Sequence, residues 1–486
     1  MLPLIFWSAL CLTTPVVAGR CKNAPLDVTW PSETDWSSLN ASIGGHLLRI
    51  VPVAASCWPN SIESHISCNT FYQPDSIDYP IYANNSCLPP NVTGYVHDRG
   101  CTTGGLPAYI VNATTEIQIA TAMSGVMRAL VEGRVVTTGQ DPSVGLGLTY
   151  GLDASHVLQI RVVTTQGETL VANDAQHQDL FWALRGGGPG LYGVVTDYVL
   201  RHHPAPSNAL PDLVDAGLAG ACMMSTGEAA VRFASLSEAT TGVVISQVFW
   251  SFNSTSFAME ALVRPVLTRI GRESTPNSGS SAVTITFSTS NLANYTSFIS
   301  VISGSSAAGS QSVISSRLLG RRELLDTVHT DMTSYLKTAL QVQNATAGTF
   351  ATIGLQGGPG VQQTPPGDWG ALLPAWHTAC LHFIANGATV DSVTAGSSKR
   401  ALQDAARWYE AKEHMWQLWA PEAGAYMNET NPFDPEFKRD FYGANYDRLV
   451  QVKAKYDLTE SLFVLAGVGS DRWDYDLDSG RLCRVS

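Results

Sequence analysis

A run of small residues near position 190 is the segment of this chain best suited to bring backbone amides close to a ligand. It reads Gly186-Gly-Gly-Pro-Gly190, and Gly193 follows it. Because glycine has no Cβ atom, the backbone can approach a ligand or another strand closely here. The alternative is a mobile glycine turn without a ligand, and composition alone does not decide between the two.

The same run contains a literal dinucleotide-binding pattern, Gly188-x-Gly190-x-x-Gly193. That fingerprint requires a strand before the glycines and a helix after them, so that the helix N-terminus meets the pyrophosphate. The sequence predicts the reverse order, with a helix over Asp179–Leu184 and a strand over Gly193–Leu200. We therefore reject a nicotinamide-type dinucleotide fold.

The elements before the glycine run follow from hydrophobic periodicity. Pro107–Val111 predicts a short strand, and Thr115–Val131 has helical spacing. Val157–Val163 and Glu168–Ala172 predict two strands joined by a turn at Gln166-Gly167. The glycine run thus closes a unit of mixed helix and sheet.

Beyond Pro204 the pattern changes to one typical of an antiparallel sheet with helices. Strand-like runs occur at Val243–Trp250, Phe350–Leu355 and Leu381–Ile384. A long amphipathic helix is predicted over Lys399–Trp419. Its expected apolar face consists of Ala405, Trp408, Ala411, Met415 and Trp416. The Ser-rich stretch Ser274–Ser316 is predicted to form loops.

Three stretches carry a resemblance to a known family. They are the run from Asp179-Leu-Phe-Trp182 to Gly193-Val-Val-Thr196, the segment Phe441-Tyr-Gly-Ala-Asn445-Tyr446 continuing to Lys455-Tyr-Asp457, and Trp30-Pro-Ser-Glu33. Together they resemble fungal secreted FAD-linked oxidoreductases of the family that includes berberine bridge enzyme and 6-hydroxy-D-nicotine oxidase. That family belongs to the vanillyl-alcohol-oxidase superfamily, whose FAD-binding domain is of the PCMH type.

The resemblance implies an α+β fold. A two-subdomain PCMH-type FAD-binding domain would be followed by an antiparallel-sheet substrate domain flanked by helices, and a C-terminal segment would return to the FAD domain. The predicted divisions are a signal peptide at 1–19, a disulfide-rich cap at 20–102, an internally shortened FAD domain at 103–205, a substrate domain at 206–420 and the C-terminal segment at 421–486.

The resemblance also implies FAD as the cofactor, a small organic metabolite as the hydride donor and O2 as the usual acceptor. The residues it assigns to FAD binding are Ser143, Val144, Gly145, Tyr150, Gly151, Leu152, Gly187, Gly188, Gly193, Val194, Asn445 and Tyr446. Tyr426 and Glu429 are candidates for catalytic polar work on the substrate. The alternative is that Tyr426 only packs and Glu429 faces solvent.

Two segments typical of the family are missing. Members carry an Arg…Gly-His segment, whose histidine binds flavin covalently, where Ala122-Met-Ser-Gly125 runs almost directly into Gly133-Arg134 here. A second gap precedes Tyr150, where members have another histidine or a cysteine anchor. A gene model that skipped exons, a decayed enzyme and a noncovalent FAD binder are the three interpretations. The clean gaps with family-like flanks favour the first.

Composition indicates a globular protein that acts on small molecules. Hydrophobic residues make up 44% of the 486 positions, charged residues only 14%, and the net charge is -12. That charge offers no attraction to nucleic acid or anionic membranes. The apolar run Met1–Leu12 predicts a secretory signal peptide, since a membrane anchor would need about 18 apolar residues. We expect a monomer.

Cysteines and glycosylation sequons agree with an oxidising compartment. Cys21, Cys57, Cys68, Cys87 and Cys101 cluster early in the chain, without the spacing of a zinc site, so no metal is expected. Their pairing stays open. The sequons are Asn40, Asn84, Asn91, Asn112, Asn253, Asn294, Asn344 and Asn428.

Two functions compete. The first is an FAD-dependent oxidoreductase in secondary metabolism, for example alkaloid formation, with a carbohydrate or alcohol oxidase as a variant of it. The second is a vestigial secreted glycoprotein that cannot hold flavin. A hydrolase is excluded by the absence of a Gly-x-Ser-x-Gly elbow and of a convincing carboxylate pair.

Overall fold

The computed structural model describes most of the chain from residue 21 onward. The described residues are 21–58, 86–124 (without 91, 93–94 and 105–106), 152–202 (without 189), 224–233, 241–250, 255–273, 285, 287–288, 312–341, 349–390, 395 and 397–485 (without 477–479). The predicted signal peptide at 1–19 lies outside them.

The described chain contains twelve strands and nine α-helices. The strands are β1 Leu47–Arg49, β2 Tyr109–Val111, β3 Val157–Val163, β4 Thr169–Asn173, β5 Val194–Leu200, β6 Met224–Phe233, β7 Thr241–Trp250, β8 Ser312–Gly320, β9 Thr349–Leu355, β10 Ala379–Thr389, β11 Trp473–Tyr475 and β12 Leu482–Arg484. The helices are α1 Glu33–Ser42, α2 Glu116–Ser124, α3 Gln178–Leu184, α4 Ser256–Glu273, α5 Arg321–Leu325, α6 His329–Ala339, α7 Pro359–Gln362, α8 Ser398–Trp419 and α9 Tyr446–Tyr456.

The largest sheet is antiparallel, with strand order β7-β6-β9-β10-β8. Successive side chains of a strand point to opposite faces, so β8 and β10 each contribute to two cores. On one face, Leu319 and Phe383 pack with Trp416 of α8. On the other face, Leu318 packs with Trp376, which lies in the turn just before β10. We call these the helix face and the site face.

A second, three-stranded sheet of order β4-β3-β5 carries α3 and the glycine run. Its core joins Ile160 and Phe181 to aromatic residues of the C-terminal segment, including Tyr442 and Tyr446. The outer edge of β5 has no strand partner in the described part of the chain. Leu200 on β5 is 58% exposed.

The N-terminal region is attached at two places. β1 pairs antiparallel with β2, and Trp36 stacks on Tyr109 with ring centroids 4.2 Å apart. Disulfides join Cys87 to Cys101 and Cys21 to Cys483. The described residues contain no helix long and apolar enough to cross a membrane.

The mixed α+β architecture predicted from the sequence is confirmed, and most of the elements that periodicity predicted begin and end within one or two residues of the observed ones. The serine-rich stretch, however, does not end as a loop, because Ser312 opens β8. The predicted apolar face of α8 also needs correction, since Ala411 is exposed whereas Tyr409 and Lys412 are buried. The domain boundaries stay predictions.

Candidate functional site

The glycine run forms a bend that other residues would adopt only with strain. Gly186, Gly188 and Gly190 have φ angles of 108°, 87° and 89°, in the region that L side chains rarely enter. The bend follows α3 directly and leads into β5, so the predicted order of helix, glycines and strand is observed. We call residues 186–193 the glycine bend.

Protein atoms fill the space beside these glycines. A Cβ atom on Gly187 would meet Leu449 of α9 and would lie 2.6 Å from the carbonyl oxygen of Ala183. A Cβ atom on Gly186 would lie 2.6 Å from Leu372, and one on Gly193 would lie 2.6 Å from Val162. Close packing therefore accounts for these glycines. Contact of their backbone amides with a ligand stays a prediction.

Helix α9 is fixed to the glycine bend by a buried lysine. The Nζ atom of Lys453 donates to the carbonyl oxygens of Leu191, at 2.9 Å, and Leu462, at 2.6 Å. It also pairs with the carboxylate of Asp457, at 2.8 Å. A buried ammonium is tolerated only when its donors are satisfied, so these bonds give α9 one position on the bend.

A second contact ties α9 to α3. Asp179 accepts hydrogen bonds from Lys455 at 2.7 Å and from the hydroxyl of Tyr456 at 2.9 Å. Asp179 and the Lys455-Tyr-Asp457 run both belong to the stretches that carried the family resemblance. In this structure the two stretches are joined by these hydrogen bonds.

Asn445 lies at the start of α9 and joins a third segment to the bend. Its side-chain amide donates to the carbonyl oxygens of Ala371, at 3.2 Å, and Leu372, at 2.9 Å. The backbone N–H of Ala371 donates to the carbonyl of Arg185, at 2.8 Å, directly before the bend. The bend, Asn445 and residues 369–377, which we call the connecting segment, therefore lie together.

Three other residues expected to bind the cofactor are described. The hydroxyl of Tyr446 donates to Asp471 at 2.7 Å and accepts from the N–H of Gly469 at 3.1 Å. Leu152 packs with Trp376 in the site-face core, and Val194 pairs with Val163 at the start of β5. Their contact with a cofactor stays a prediction. Residues 143–145, 150 and 151 lie outside the described residues.

The far end of the connecting segment brings Trp376 to the two candidate catalytic residues. Its ring lies 5.4 Å from that of Tyr426 and 5.9 Å from that of His382 on β10. Nδ1 of His382 lies 3.6 Å from Oε2 of Glu429. The hydroxyl of Tyr426 accepts a 2.9 Å hydrogen bond from Asn428. We call Trp376, His382, Tyr426 and Glu429 the site-face cluster.

His382 is the most unusual member of this cluster. The residue is 5% exposed, and its Nε2 atom has no hydrogen-bond partner among the described residues. Burial lowers its pKa to about 4, so the ring is neutral at ordinary pH. A buried ring nitrogen without a partner is costly, which is a reason to look for a ligand there.

The segment that carries Tyr426 and Glu429 is held against β8. The carbonyl oxygen of Gly424 accepts from the N–H of Leu318 at 2.8 Å, and the Ala425 N–H donates to the carbonyl of Asp440 at 2.8 Å. Asp440 forms a fully buried ion pair with Arg317 of β8. These contacts hold the segment just before Tyr426 and Glu429 against β8.

The sequence analysis missed His382 and Trp376 as site residues. His382 falls within Leu381–Ile384, which the sequence predicts correctly as a strand but without a role for the histidine. A histidine inside such a run is the signal that was available. Trp376 offers none, because a tryptophan near a proline is as common in a core as in a site.

Known proteins resemble this chain in its C-terminal segment and over nearly its whole length. Residues 425–463 match the model "Berberine and berberine like". FAD-linked oxidoreductase patO of Aspergillus clavatus is 27% identical, over 98% of this chain and 97% of that protein. VAO-type flavoprotein oxidase VAO615 of Thermothelomyces thermophilus is 24% identical, over 96% of this chain and 95% of that protein.

Solved structures agree on the fold. The VAO-type flavoproteins MtVAO713 and MtVAO615, both from Myceliophthora thermophila C1, superpose with TM-scores of 0.75 and 0.72. Their identities are 20% and 22%, each structure is covered completely, and 96% of this chain takes part.

The alignment with the Aspergillus protein is longer than the chain itself. It runs over 590 positions, whereas the chain has 486 residues, so at least 104 positions (590 − 486) hold no residue of this chain. Because the matched region spans nearly all of both proteins, most of these positions are internal. Internal gaps relative to family members are what the resemblance implied for the two missing segments.

Proposed function

We propose that this chain, a homologue of the FAD-linked oxidoreductases with a berberine-bridge-type C-terminal segment, is a flavin-dependent enzyme that oxidises a small organic metabolite. The supporting observation is the connecting segment. One end of it contacts the glycine bend and Asn445, and its other end presents Trp376 to His382 and Tyr426. Sites for small molecules occur preferentially where two such units meet.

The described residues do not by themselves fit an FAD site. The space beside Gly186, Gly187 and Gly193 is taken by protein atoms, and the polar groups of Asn445 and Tyr446 already have protein partners. The described residues therefore support no specific chemical step on a flavin. The remaining cofactor contacts in the proposal are those at 143–145 and 150–151, outside the described residues.

The substrate side can be argued from the chain's own residues. Trp376 and Tyr426 offer aromatic surfaces, and neutral His382 offers a ring nitrogen for hydrogen bonding. The side chain of Glu429 is 43% exposed, so it stands where the cluster opens to solvent. Such groups would orient a small organic molecule, as the candidate roles of Tyr426 and Glu429 require.

The electron acceptor, the compartment and the substrate class are argued from separate observations. The name of VAO615 includes the word oxidase, which favours O2 as the acceptor. The disulfides favour secretion. Among the described sequons, Asn112 is exposed and suited to carry a glycan, whereas Nδ2 of Asn428, the atom that a glycan would modify, donates a hydrogen bond to Tyr426. An alkaloid or another secondary metabolite is the proposed substrate class, and a monomer the proposed state.

One observation favours the second candidate, a secreted glycoprotein without flavin. The glycines of the bend are explained by packing alone, so their presence does not require a cofactor. A visible absorption spectrum of the purified chain after incubation with FAD separates the two candidates. We expect flavin bands that remain after gel filtration and disappear on denaturation, since no covalent histidine anchor is visible. A protein free of flavin would contradict the proposed enzyme.

The glycine bend offers a sharper variant of this experiment. In Gly187→Ala the new methyl group meets Leu449 and the carbonyl of Ala183, and we expect a loss of about 1–3 kcal/mol in unfolding free energy. FAD retention should fall with it if the bend supports the cofactor. Gly367→Ala is the matched control, because nothing lies within 4 Å of its added Cβ. Normal flavin retention in Gly187→Ala would separate the bend from cofactor binding.

A further inference from the structure

Polar contacts hold residues 424–440 against the large antiparallel sheet. The carbonyl oxygen of Gly424 accepts from the N–H of Leu318, at 2.8 Å, and the hydroxyl of Thr430 accepts from the N–H of Ser316, at 3.3 Å. Both donors lie on β8, so the first part of this stretch follows that strand. We call residues 424–440 the docked segment.

Three carboxyl groups lie together where the docked segment meets β8 and α8. Asp434 and Asp440 of the segment are 5% and 0% exposed, and Glu413 of α8 is close enough for the charge of Asp434 to act on it. The buried cation facing them is Arg317, which pairs with Asp440 but whose Nη2 has no partner among the described residues. We call these four residues the buried carboxyl cluster. Full ionisation would leave it with uncompensated buried negative charge, which is costly.

Asp434 and Asp440 share a proton. Their side chains are hydrogen-bonded to each other, and two ionised carboxylates have no proton to donate. Asp440 already accepts from Arg317 and from Gln417, at 3.0 Å, through Oδ2. Its Oδ1 accepts from Arg439 at 2.8 Å. With these donors on both oxygens, Asp440 is the acceptor of the pair and Asp434 carries the proton.

This proton is lost close to neutral pH. Burial, followed by the charge of Asp440, raises the pKa of Asp434 from a usual 3.8 to about 6. At pH 5 most folded chains therefore keep the proton, whereas at pH 7 only about one in ten does. The other charged and titratable groups that face the carboxyls of the cluster are Tyr409 on α8 and Glu436 and Arg439 on the docked segment.

We propose that the buried carboxyl cluster is a pH-sensitive switch, which fixes the docked segment against β8 and α8 while Asp434 is protonated and loosens it when that proton leaves. Loss of the proton removes the bond to Asp440 and leaves two adjacent buried carboxylates that repel each other. Because the pKa of Asp434 is raised in the folded chain, the stabilisation is complete in acid and is lost as the pH rises through about 6.

The switch acts on the part of the chain that carries Tyr426 and Glu429, since both lie within the docked segment. Below pH 6 the segment is fixed and the two side chains keep their places beside the sheet. Above it, the segment opens more often and their positions are less well defined. The switch consists of bonds within the chain and does not rest on the proposed function.

Hydrogen exchange of the full chain, followed by mass spectrometry, tests the switch with Asp434→Asn. Asparagine keeps the shape, the donor for Asp440 and the acceptor for the N–H of Glu436, 2.9 Å away, but it cannot ionise. At pH 5 the docked segment should exchange alike in both chains. At pH 7 it should exchange about tenfold faster in the unaltered chain, because a pKa near 6 lies about one unit below that pH.

The matched control is Asp326→Asn, at an exposed position just after α5, which should follow the unaltered chain at both pH values. Equal exchange of the docked segment in Asp434→Asn and the unaltered chain at pH 7 overturns the switch. An equal rise in peptides from β3 and β4 also overturns it, because the whole fold would then be losing stability.

The unaltered chain decides the matter by itself if Asp434→Asn does not fold. After correction for the chemical exchange rate at each pH, its docked segment should exchange about tenfold faster at pH 7 than at pH 5, relative to β3 and β4. A constant ratio between the two regions contradicts the switch.

Discussion

The two faces of the large antiparallel sheet are built from the same strands but differ in how their polar groups are satisfied. On the helix face, Arg317 pairs with Asp440, and Trp416 donates a 2.8 Å hydrogen bond to Ser315. On the site face, neighbouring positions of β8 and β10 place Leu318 beside His382, whose Nε2 has no partner in the described part of the chain. The helix face thus joins its polar side chains to one another, although Nη2 of Arg317 also lacks a partner in the described part of the chain. Nε2 of His382 on the site face makes no such bond.

This difference separates stability from function within one sheet. Buried polar groups that are fully bonded fix a unique core, and breaking them is costly. A buried group without a partner costs stability, and only a bound molecule can complete its bond. Substitutions on the two faces should therefore differ in their effect on unfolding.

The largest effect is expected for Trp416→Ala on the helix face. The indole is fully buried between Phe383 and Trp419, and its removal leaves a cavity and takes away the hydrogen bond that the Ser315 hydroxyl accepts. We expect a loss of about 3–5 kcal/mol in unfolding free energy, measured by urea titration. Leu418→Ala, exposed on the same helix, should change it by less than about 0.5 kcal/mol. Equal effects would refute the contrast.

Arg317→Met should cost somewhat less, about 3 kcal/mol, the low end for breaking a buried ion pair. Asp440 keeps hydrogen bonds from Gln417, at 3.0 Å, and Arg439, at 2.8 Å, so its charge is not stranded. The same urea titration measures the loss, with exposed Arg322→Met as the control. A loss below about 1 kcal/mol would show that the remaining donors suffice.

The contribution of the helix face to the free energy of unfolding should also depend on pH. Burial, together with the charge of Asp434, raises the pKa of Glu413 to about 7, from a usual 4.5. Between these values the folded chain retains a proton that the unfolded chain has lost, so the free energy of unfolding should fall as the pH rises, by up to about 3 kcal/mol. Urea midpoints at pH 5 and pH 8 measure this fall. It should shrink in Glu413→Gln, and an unchanged slope would contradict it.

The smallest effect is expected on the site face, for His382→Phe. The ring keeps its place beside Trp376, and Nε2 has no bond to lose among the described residues. Unfolding free energy should change by less than about 1 kcal/mol in the ligand-free chain. A loss above about 2 kcal/mol would mean that His382 belongs to the structural core, and the two faces would then be alike.

Periodicity predicted the elements well where one period dominates the segment. The strand Val157–Val163 and the helix beginning near Lys399 were located almost to the residue, because alternation and helical spacing are local properties. The arrangement of helix, glycine bend and strand also followed from local pattern. That the glycine bend lies close to Asn445 was implied only by the family resemblance.

Contacts between distant residues explain what local pattern missed. Ser315 lies in a buried strand because Glu413, 98 residues later, accepts its hydroxyl proton at 2.8 Å. His382 becomes a site residue only when β8 and β9 pair on either side of β10 and bury it. No window of the sequence contains these partners.

The disulfide between Cys21 and Cys483 closes a ring of almost the whole chain, across 462 positions of sequence. During synthesis Cys483 emerges long after Cys21, so the segment around Cys21 stays without this bond until Cys483 has been made. A nick in any surface loop between the two cysteines would leave the fragments joined until a reductant is added. This long-range covalent bond can therefore form only after the chain between its two cysteines has been made.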